Sequence, residues 1–285
     1  MQNKRIGDFL QLCREKLAAG NLDSNIGEII VETRLQLTRS ELWQSHGMPL
    51  EQEMYQQCLQ DLDRYLAGEP IQYILKTAPF FGYDFYVDNH VLIPRPETEE
   101  LVYKALETAK KTGFRKVLDI CTGSGVIGIT MKKELPELTV TLSDISPEAL
   151  QVSKKNAQQL GAEVRCIETD VADYFVDNCE KYQLIIANPP YIAEHERLGM
   201  SDLVLKNEPE LALFAENNGL AIYEKLVKQL PAIVEADFWI GVEIGYQQGE
   251  SVRALFQKSF PQVPVVIHKD INGKDRMVIC SNTLV

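Results

Sequence analysis

The chain has 285 residues, 45% of them hydrophobic, and a formal charge of −12 with a pI near 4.9. That length allows one sizeable core plus a smaller second domain, and the composition excludes a disordered chain. No run of about 18 apolar residues offers a membrane-spanning helix, and the acidic balance, without a basic run, argues against a nucleic-acid enzyme, whose affinity comes from Lys and Arg on phosphates.

The opening segment, MQNKRIGDFLQLCREKL, carries charges throughout and lacks the apolar core of a secretory signal, so a cytoplasmic location is expected. Ile6, Phe9, Leu10, Cys13 and Leu17 recur at helical spacing, and Gly20-Asn21 ends that helix. Ile26, Ile29, Ile30 and Leu37 form a second apolar stripe, and a third helix runs from near Pro49 through Met54, Tyr55, Cys58 and Leu62 to Gly68. Residues 1–77 are therefore predicted to be a helical bundle used for substrate recognition. Residues 78–96 are predicted to be a β-hairpin linker: Phe81, Tyr83, Phe85 and Val87 alternate with other residues, Asp88-Asn89 supplies a turn and Val91-Leu92-Ile93 follows. Pro94 and Pro96 stop the strand, and Glu97 to Lys111 reads as a helix with acids in its first turn.

In residues 97–285, short apolar strands alternate with helical patterns. Strands read at Val117–Ile120, Val140–Ser143, Val164–Ile167, Leu184–Ala187, Trp239–Glu243, Val265–His268 and Met277–Cys280, with helices after Gly125, from Pro147, from Leu220 and from Gln248. The pattern predicts an α/β doubly wound, Rossmann-like fold on a seven-stranded mixed sheet, its last two strands an antiparallel hairpin around Asn272-Gly273. Six scattered cysteines and four scattered histidines form no metal-ligand cluster, so reduced, mostly buried thiols and no bound metal are expected.

Two segments carry chemistry. Val117 to Ile129 runs strand, glycine-rich turn, helix, with Gly123, Gly125 and Gly128 in the spacing G-x-G-x-x-G. Glycine permits a sharp turn and close backbone approach to a ligand, and the helix start exposes free N–H groups. Asp144, nineteen residues after Gly125 at the end of the next strand, can accept hydrogen bonds from ribose hydroxyls. The arrangement suits a dinucleotide as well as S-adenosylmethionine. Asp119 either steadies the loop or faces a ligand ammonium.

The second segment is Asn188-Pro189-Pro190-Tyr191, directly after the fourth strand of the α/β pattern. Ligands bind at the carboxyl edge of a parallel sheet. Two prolines make a stiff corner with outward carbonyls. The Asn188 side-chain oxygen and the Pro189 backbone oxygen can take the two hydrogens of a planar NH2 group. They align its lone pair and stabilise the positive charge that develops on nitrogen. Tyr191 can pack on the substrate amide or the cationic centre.

Together these features resemble class I methyltransferases acting on exocyclic nitrogens. Further residues resemble the peptide-chain release factor glutamine methyltransferases, the PrmC/HemK family. They are Gly68 to Ile74, Phe81-Gly82 with Phe85 and Val87, Val91 to Glu99, Val242-Glu243-Ile244-Gly245 and Asp275-Arg276. The resemblance is specific from about residue 68 onward. It implies methyl transfer from S-adenosyl-L-methionine, leaving S-adenosyl-L-homocysteine, to N5 of the glutamine in a release factor's Gly-Gly-Gln loop. It implies cofactor contacts at Thr122, Gly123, Ser124, Gly125, Asp144 and Asn188, and substrate contacts at Asn188, Pro189, Pro190 and Tyr191, with Asn188, Pro189 and Tyr191 catalytic. Cys121 stands where the family often has glycine and contributes through its backbone. Val171, after Asp170, offers the adenine an apolar wall. Arg95 and Glu97 either line the cofactor mouth or lock the hairpin to the domain. A monomer with a release-factor partner, no membrane and no direct nucleic-acid contact is expected. The rival readings are a ribosomal-protein glutamine methyltransferase, a DNA adenine-N6 methyltransferase, and a dinucleotide-dependent oxidoreductase that leaves Asn188 to Tyr191 unexplained.

Overall fold

A computed structural model describes residues 4–283. The chain divides into two compact units, with the boundary between Thr77 and Ala78.

The first unit is all helical: Ile6–Ala19, Ile26–Leu35, Arg39–Gln44, Gln52–Leu66 and Ile71–Leu75. Phe9, Leu10, Cys13 and Leu17 share one core with Ile30, Val31, Cys58 and Leu62, as their helical spacing requires. Arg39–Gln44 and Ile71–Leu75 are too short to show a periodic stripe. The first of them is set by a capping box in which Thr38 and Glu41 bond each other's backbone N–H. Asp61, wholly buried, takes two hydrogen bonds from Arg34 at 2.7 and 2.9 Å. Burial pushes the Cys13 thiol up to about 12 and that of Cys58 up to about 11, so both stay protonated and inert. Cys280 is buried too, Cys121 and Cys166 are half-buried, and Cys179 is exposed.

The second unit opens on a hairpin of β1 (Ala78–Phe80) and β2 (Tyr83–Phe85), paired Phe80 to Tyr83. The turn therefore falls at Phe81-Gly82, not at Asp88-Asn89, and Val91–Ile93 forms no strand. Phe81 and Gly82 have φ of 52° and 79°. Positive φ at both central residues matches the right-handed twist of a two-residue hairpin. Asp88 instead accepts the His90 N–H, closing a local turn. Phe80 and Phe85 are buried in the second unit's own core, so the hairpin is part of that unit's packing.

After the helix Pro96–Thr112 come β3 (Lys116–Ile120), β4 (Thr139–Asp144), β5 (Arg165–Glu168), β6 (Tyr182–Ala187), β7 (Val234–Glu243), β8 (Val265–Lys269) and β9 (Asp275–Ser281). They form one seven-stranded sheet in the order β5-β4-β3-β6-β7-β9-β8. β5 to β7 run parallel, and β9 slots antiparallel between β7 and β8. The hairpin of the last two strands is as the sequence predicts. That its second strand inserts inward is not visible in the sequence.

Both faces of the sheet are covered, so its strands read as continuous apolar runs. Val117, Leu184 and Ile186 face the core that holds Leu101 and Ile129; Leu118, Ile120, Ile185 and Ala187 face the one that holds Tyr223, Leu226 and Phe256. The helix Val126–Glu134 lies so close to β4 that a Cβ on Gly128 would sit 2.2 Å from the Leu142 side chain. Gly128→Ala is expected to cost about 1–3 kcal/mol by overpacking, read as a lower denaturation midpoint.

Candidate active site

The loops at the carboxyl ends of β3, β4, β5 and β6 open on one cavity of about 260 Å3. Cys121, Thr122, Gly123, Ser124, Asp144, Val171, Asn188 and Pro190 line it. Gly125, Pro189 and Tyr191 are not among its lining residues.

Asp119 is the anchor of the glycine loop. Wholly buried at the end of β3, its Oδ2 accepts the Thr122 hydroxyl at 2.5 Å and the Gly128 N–H at 2.9 Å, so it ties the loop's start to the first turn of the following helix. Of its two sequence readings, the structure therefore gives the steadying one. Its Oδ1 is buried without a hydrogen-bond partner among the described residues. Burial pushes the carboxyl up to about 7, and Asp144 adds to this against the pull of Thr122 and Gly128.

The loop turns on Cys121, Gly123 and Gly125, with φ of 57°, 53° and 84°. Gly125 is the helix N-cap, and a Cβ there would meet Ile129 at 2.6 Å. A Cβ on Gly123 would meet nothing within 4 Å, so its bare backbone faces open space. Cys121 adopts the left-handed conformation with a side chain present, which is why glycine suits that position. Burial and the carboxylates of Asp144, Asp119 and Asp170 push its thiol well up, so it is no nucleophile. Val171 is left-handed as well, at φ 55°. A β-branched residue there is held by its surroundings at an energetic cost, and it forms the apolar wall of the cavity.

Asp144 Oδ2 accepts the Gly123 N–H at 2.8 Å and Oδ1 the Ser146 N–H at 3.0 Å. Burial raises its carboxyl, while the Ser146, Gly123 and Ile145 N–H groups hold it down. The three N–H groups leave the carboxylate with acceptor capacity for a hydroxyl in the cavity. A bare glycine backbone, a carboxylate and an apolar wall in one cavity fit a nucleoside with a charged tail.

Asn188 follows β6. Its Nδ2 donates to the Thr98 hydroxyl at 3.2 Å, and that hydroxyl donates to Glu243 Oε2 at 2.6 Å. The Tyr191 hydroxyl donates to Glu243 Oε1 at 3.4 Å. The Tyr191 carbonyl accepts from Gln248 Nε2 at 2.8 Å and lies 2.0 Å from where a Gly219 Cβ would stand. Arg95 donates to the buried Glu208 at 2.6 Å while lining the cavity, so it both lines the mouth and locks the preceding segment. Glu97 is not among the lining residues.

Thr98, Glu243, Glu208 and Asn156 escaped the sequence reading as site residues. Asn156 donates to the carbonyls of Ser124 and Tyr86 at 2.8 and 2.9 Å, tying the glycine loop to the segment after β2. Only Glu243 left a signal, an acid ending an otherwise apolar strand. Among the described residues no group of His, Cys, Asp and Glu could hold a metal ion, and no helix is long and apolar enough to cross a membrane.

A seven-stranded sheet with an inserted antiparallel strand, carrying a glycine loop and an Asn-Pro-Pro-Tyr turn on one edge, defines a class I methyltransferase. Residues 98–211 match the methyltransferase small domain and residues 8–75 the PrmC N-terminal domain. The N-terminal domain of human METTL16 in complex with SAH superposes with a TM-score of 0.50 at 16% identity, over 72% of this chain and 77% of that one. The hMettl16 catalytic domain bound to the MAT2A 3′UTR hairpin 6 gives 0.55 at 14%, over 82% and 83%. At such identities these matches show the fold alone. A release factor glutamine methyltransferase of Bacillus cereus is 37% identical over 96% of this chain and 98% of its own length. One of Bacillus subtilis is 35% identical over 96% and 97%, and one of Lactococcus lactis 47% over 74% and 77%. The chain belongs to the release factor glutamine methyltransferase family.

Two predictions follow from the loop's carboxylates. Asp144→Ala should weaken S-adenosylmethionine binding by about 1.5–3 kcal/mol, the worth of a charge-assisted contact; titration calorimetry showing unchanged affinity would contradict it. Asp119 binds its proton more tightly folded than unfolded, so its contribution to stability is fullest below about pH 4 and is lost as pH rises to about 7. Denaturant titrations of the ligand-free protein should therefore show Asp119→Asn gaining on the wild type between about pH 4 and pH 7.

Proposed function

We propose that this protein transfers the methyl group of S-adenosyl-L-methionine to the side-chain amide nitrogen of a glutamine, the one in the Gly-Gly-Gln loop of a peptide-chain release factor. The observation that carries the reading is that Asn188 and Pro190 share a single cavity with Gly123 and Asp144, so a cofactor held by the loop and an NH2 group held by the turn meet in one space. The family names of the relatives supply the substrate. The acidic chain, at −12, suits a protein substrate better than a nucleic acid.

S-adenosylmethionine supplies an electrophilic methyl carbon on a cationic sulfur. Asp144 would hold its ribose, the open backbone face at Gly123 would receive its tail, and Val171 would wall the adenine. An amide nitrogen is a weak nucleophile because its lone pair is delocalised into the carbonyl. Asn188 Oδ1 and the Pro189 carbonyl take the two N–H hydrogens, turning the lone pair toward the methyl carbon. The N–C bond forms as the C–S bond breaks and its electron pair returns to sulfur. The same two acceptors stabilise the charge that passes to nitrogen. The amide proton then leaves to water, so no general base is required beforehand.

The test offers purified protein and labelled cofactor to release factor, ribosomal protein and DNA side by side. The label should appear on the release-factor glutamine by mass spectrometry; label on either other substrate and none on the release factor would overturn the reading. Asn188→Ala should fold normally and lose about 10²–10³ in kcat, the loss typical of removing one preorganised hydrogen-bonding group from a developing charge.

A further inference from the structure

The Thr98 hydroxyl has one hydrogen to give, and it lies 2.6 Å from Glu243 Oε2, an acceptor. What Thr98 offers Asn188 is therefore a lone pair, so Asn188 must meet it with Nδ2, at 3.2 Å. The other end of a planar amide, the oxygen, is then turned away from the helix Pro96–Thr112. We propose that Thr98 and Glu243 are positioning residues that fix the polarity of the Asn188 amide, nitrogen inward and oxygen outward, so that the turn receives an NH2 group rather than repels it. The same carboxylate receives Tyr191 through Oε1, so both ends of the Asn-Pro-Pro-Tyr turn hang on one buried group. The inference rests on the amide-methylation reading above.

The relay is directional. Were Glu243 Oε2 protonated, it would donate to Thr98, and Thr98 would donate onward to Asn188. The amide would then be held by its oxygen, with its NH2 group facing the substrate's. Facing Glu243 are Arg276 from β9, itself held by Asp270 at 3.2 Å, Tyr191 from the turn, and Thr98 and Glu97 from the helix Pro96–Thr112. From the helix Ala221–Ile233, the Tyr223 hydroxyl donates to the Glu243 main-chain carbonyl at 2.6 Å. Burial pushes the Glu243 carboxyl up to about 7 and Glu97 adds to this, against Thr98, Arg276 and Tyr191. The relay's polarity is thus sensitive to pH near neutrality.

Thr98→Val keeps the shape and removes the hydroxyl; Thr98→Ser keeps the hydroxyl. With release factor as substrate and saturating cofactor, which removes any effect of Asp119 on cofactor affinity, Thr98→Val should lower kcat by about 10²-fold, the cost of a misplaced reacting group. Its KM should change far less, and Thr98→Ser should recover most of the rate. The wild-type kcat should fall as pH drops through about 7, and Glu243→Gln should lack that limb. Wild-type kcat in Thr98→Val, serine no better than valine, or the same acid limb in Glu243→Gln would each overturn the positioning role. Any of these beside an active wild type leaves the methylation reading standing. A wild type that methylates no release factor removes that reading and the inference with it.

Discussion

Ile120 and Ala187 stand opposite one another in the parallel pairing of β3 with β6. The residues that follow them, Cys121 on one strand and Asn188 on the other, leave the same edge of the sheet side by side. Methyl transfer requires two reactants in one small volume, and this register supplies the meeting point. A one-residue slip would exchange the faces of every side chain on β6 and carry Asn188 out of place. The two apolar cores, one on each face, hold the register, because Leu184 and Ile186 fill one and Ile185 and Ala187 fill the other.

Around that meeting point, two buried carboxylates hold the two halves of the site. Asp119 gathers the glycine loop through Thr122 and Gly128; Glu243 gathers the Asn-Pro-Pro-Tyr turn through Thr98 and Tyr191. Each is wholly or almost wholly buried, and burial raises both toward neutrality. A buried acid is costly unless its lone pairs are met; Glu243 has a donor on each oxygen, whereas Asp119 meets two donors through Oδ2 and leaves Oδ1 without one among the described residues. The chain spends stability here to make the cavity walls rigid. The left-handed backbone of Cys121 and Val171 adds to that cost on the cavity wall.

The strands were legible because buried parallel strands read as short apolar runs between glycine and proline signals, and the glycine loop because its conformation needs residues without a Cβ. The hairpin turn was misplaced because Phe81 is an unusual occupant of a left-handed position, whereas Asp88-Asn89 has the familiar turn chemistry, spent here on a local bond to His90. Thr98, Asn156 and Glu208 were invisible as site residues, and Glu243 showed only as an acid ending an apolar strand, because each acts through a partner 32 or more residues away in sequence. Nothing in a local pattern marks such a pairing.

By itself the sequence determined the alternation of elements, the glycine turn, the acid ending the second α/β strand and the stiff double-proline corner, since each follows from the preferences of neighbouring residues. The tertiary structure alone decided that β9 inserts between β7 and β8, that the loop and the corner share a cavity, and that Asn188 meets Thr98 with its nitrogen. Those facts depend on which strands pair and on how a single hydroxyl hydrogen is shared among groups far apart in the chain.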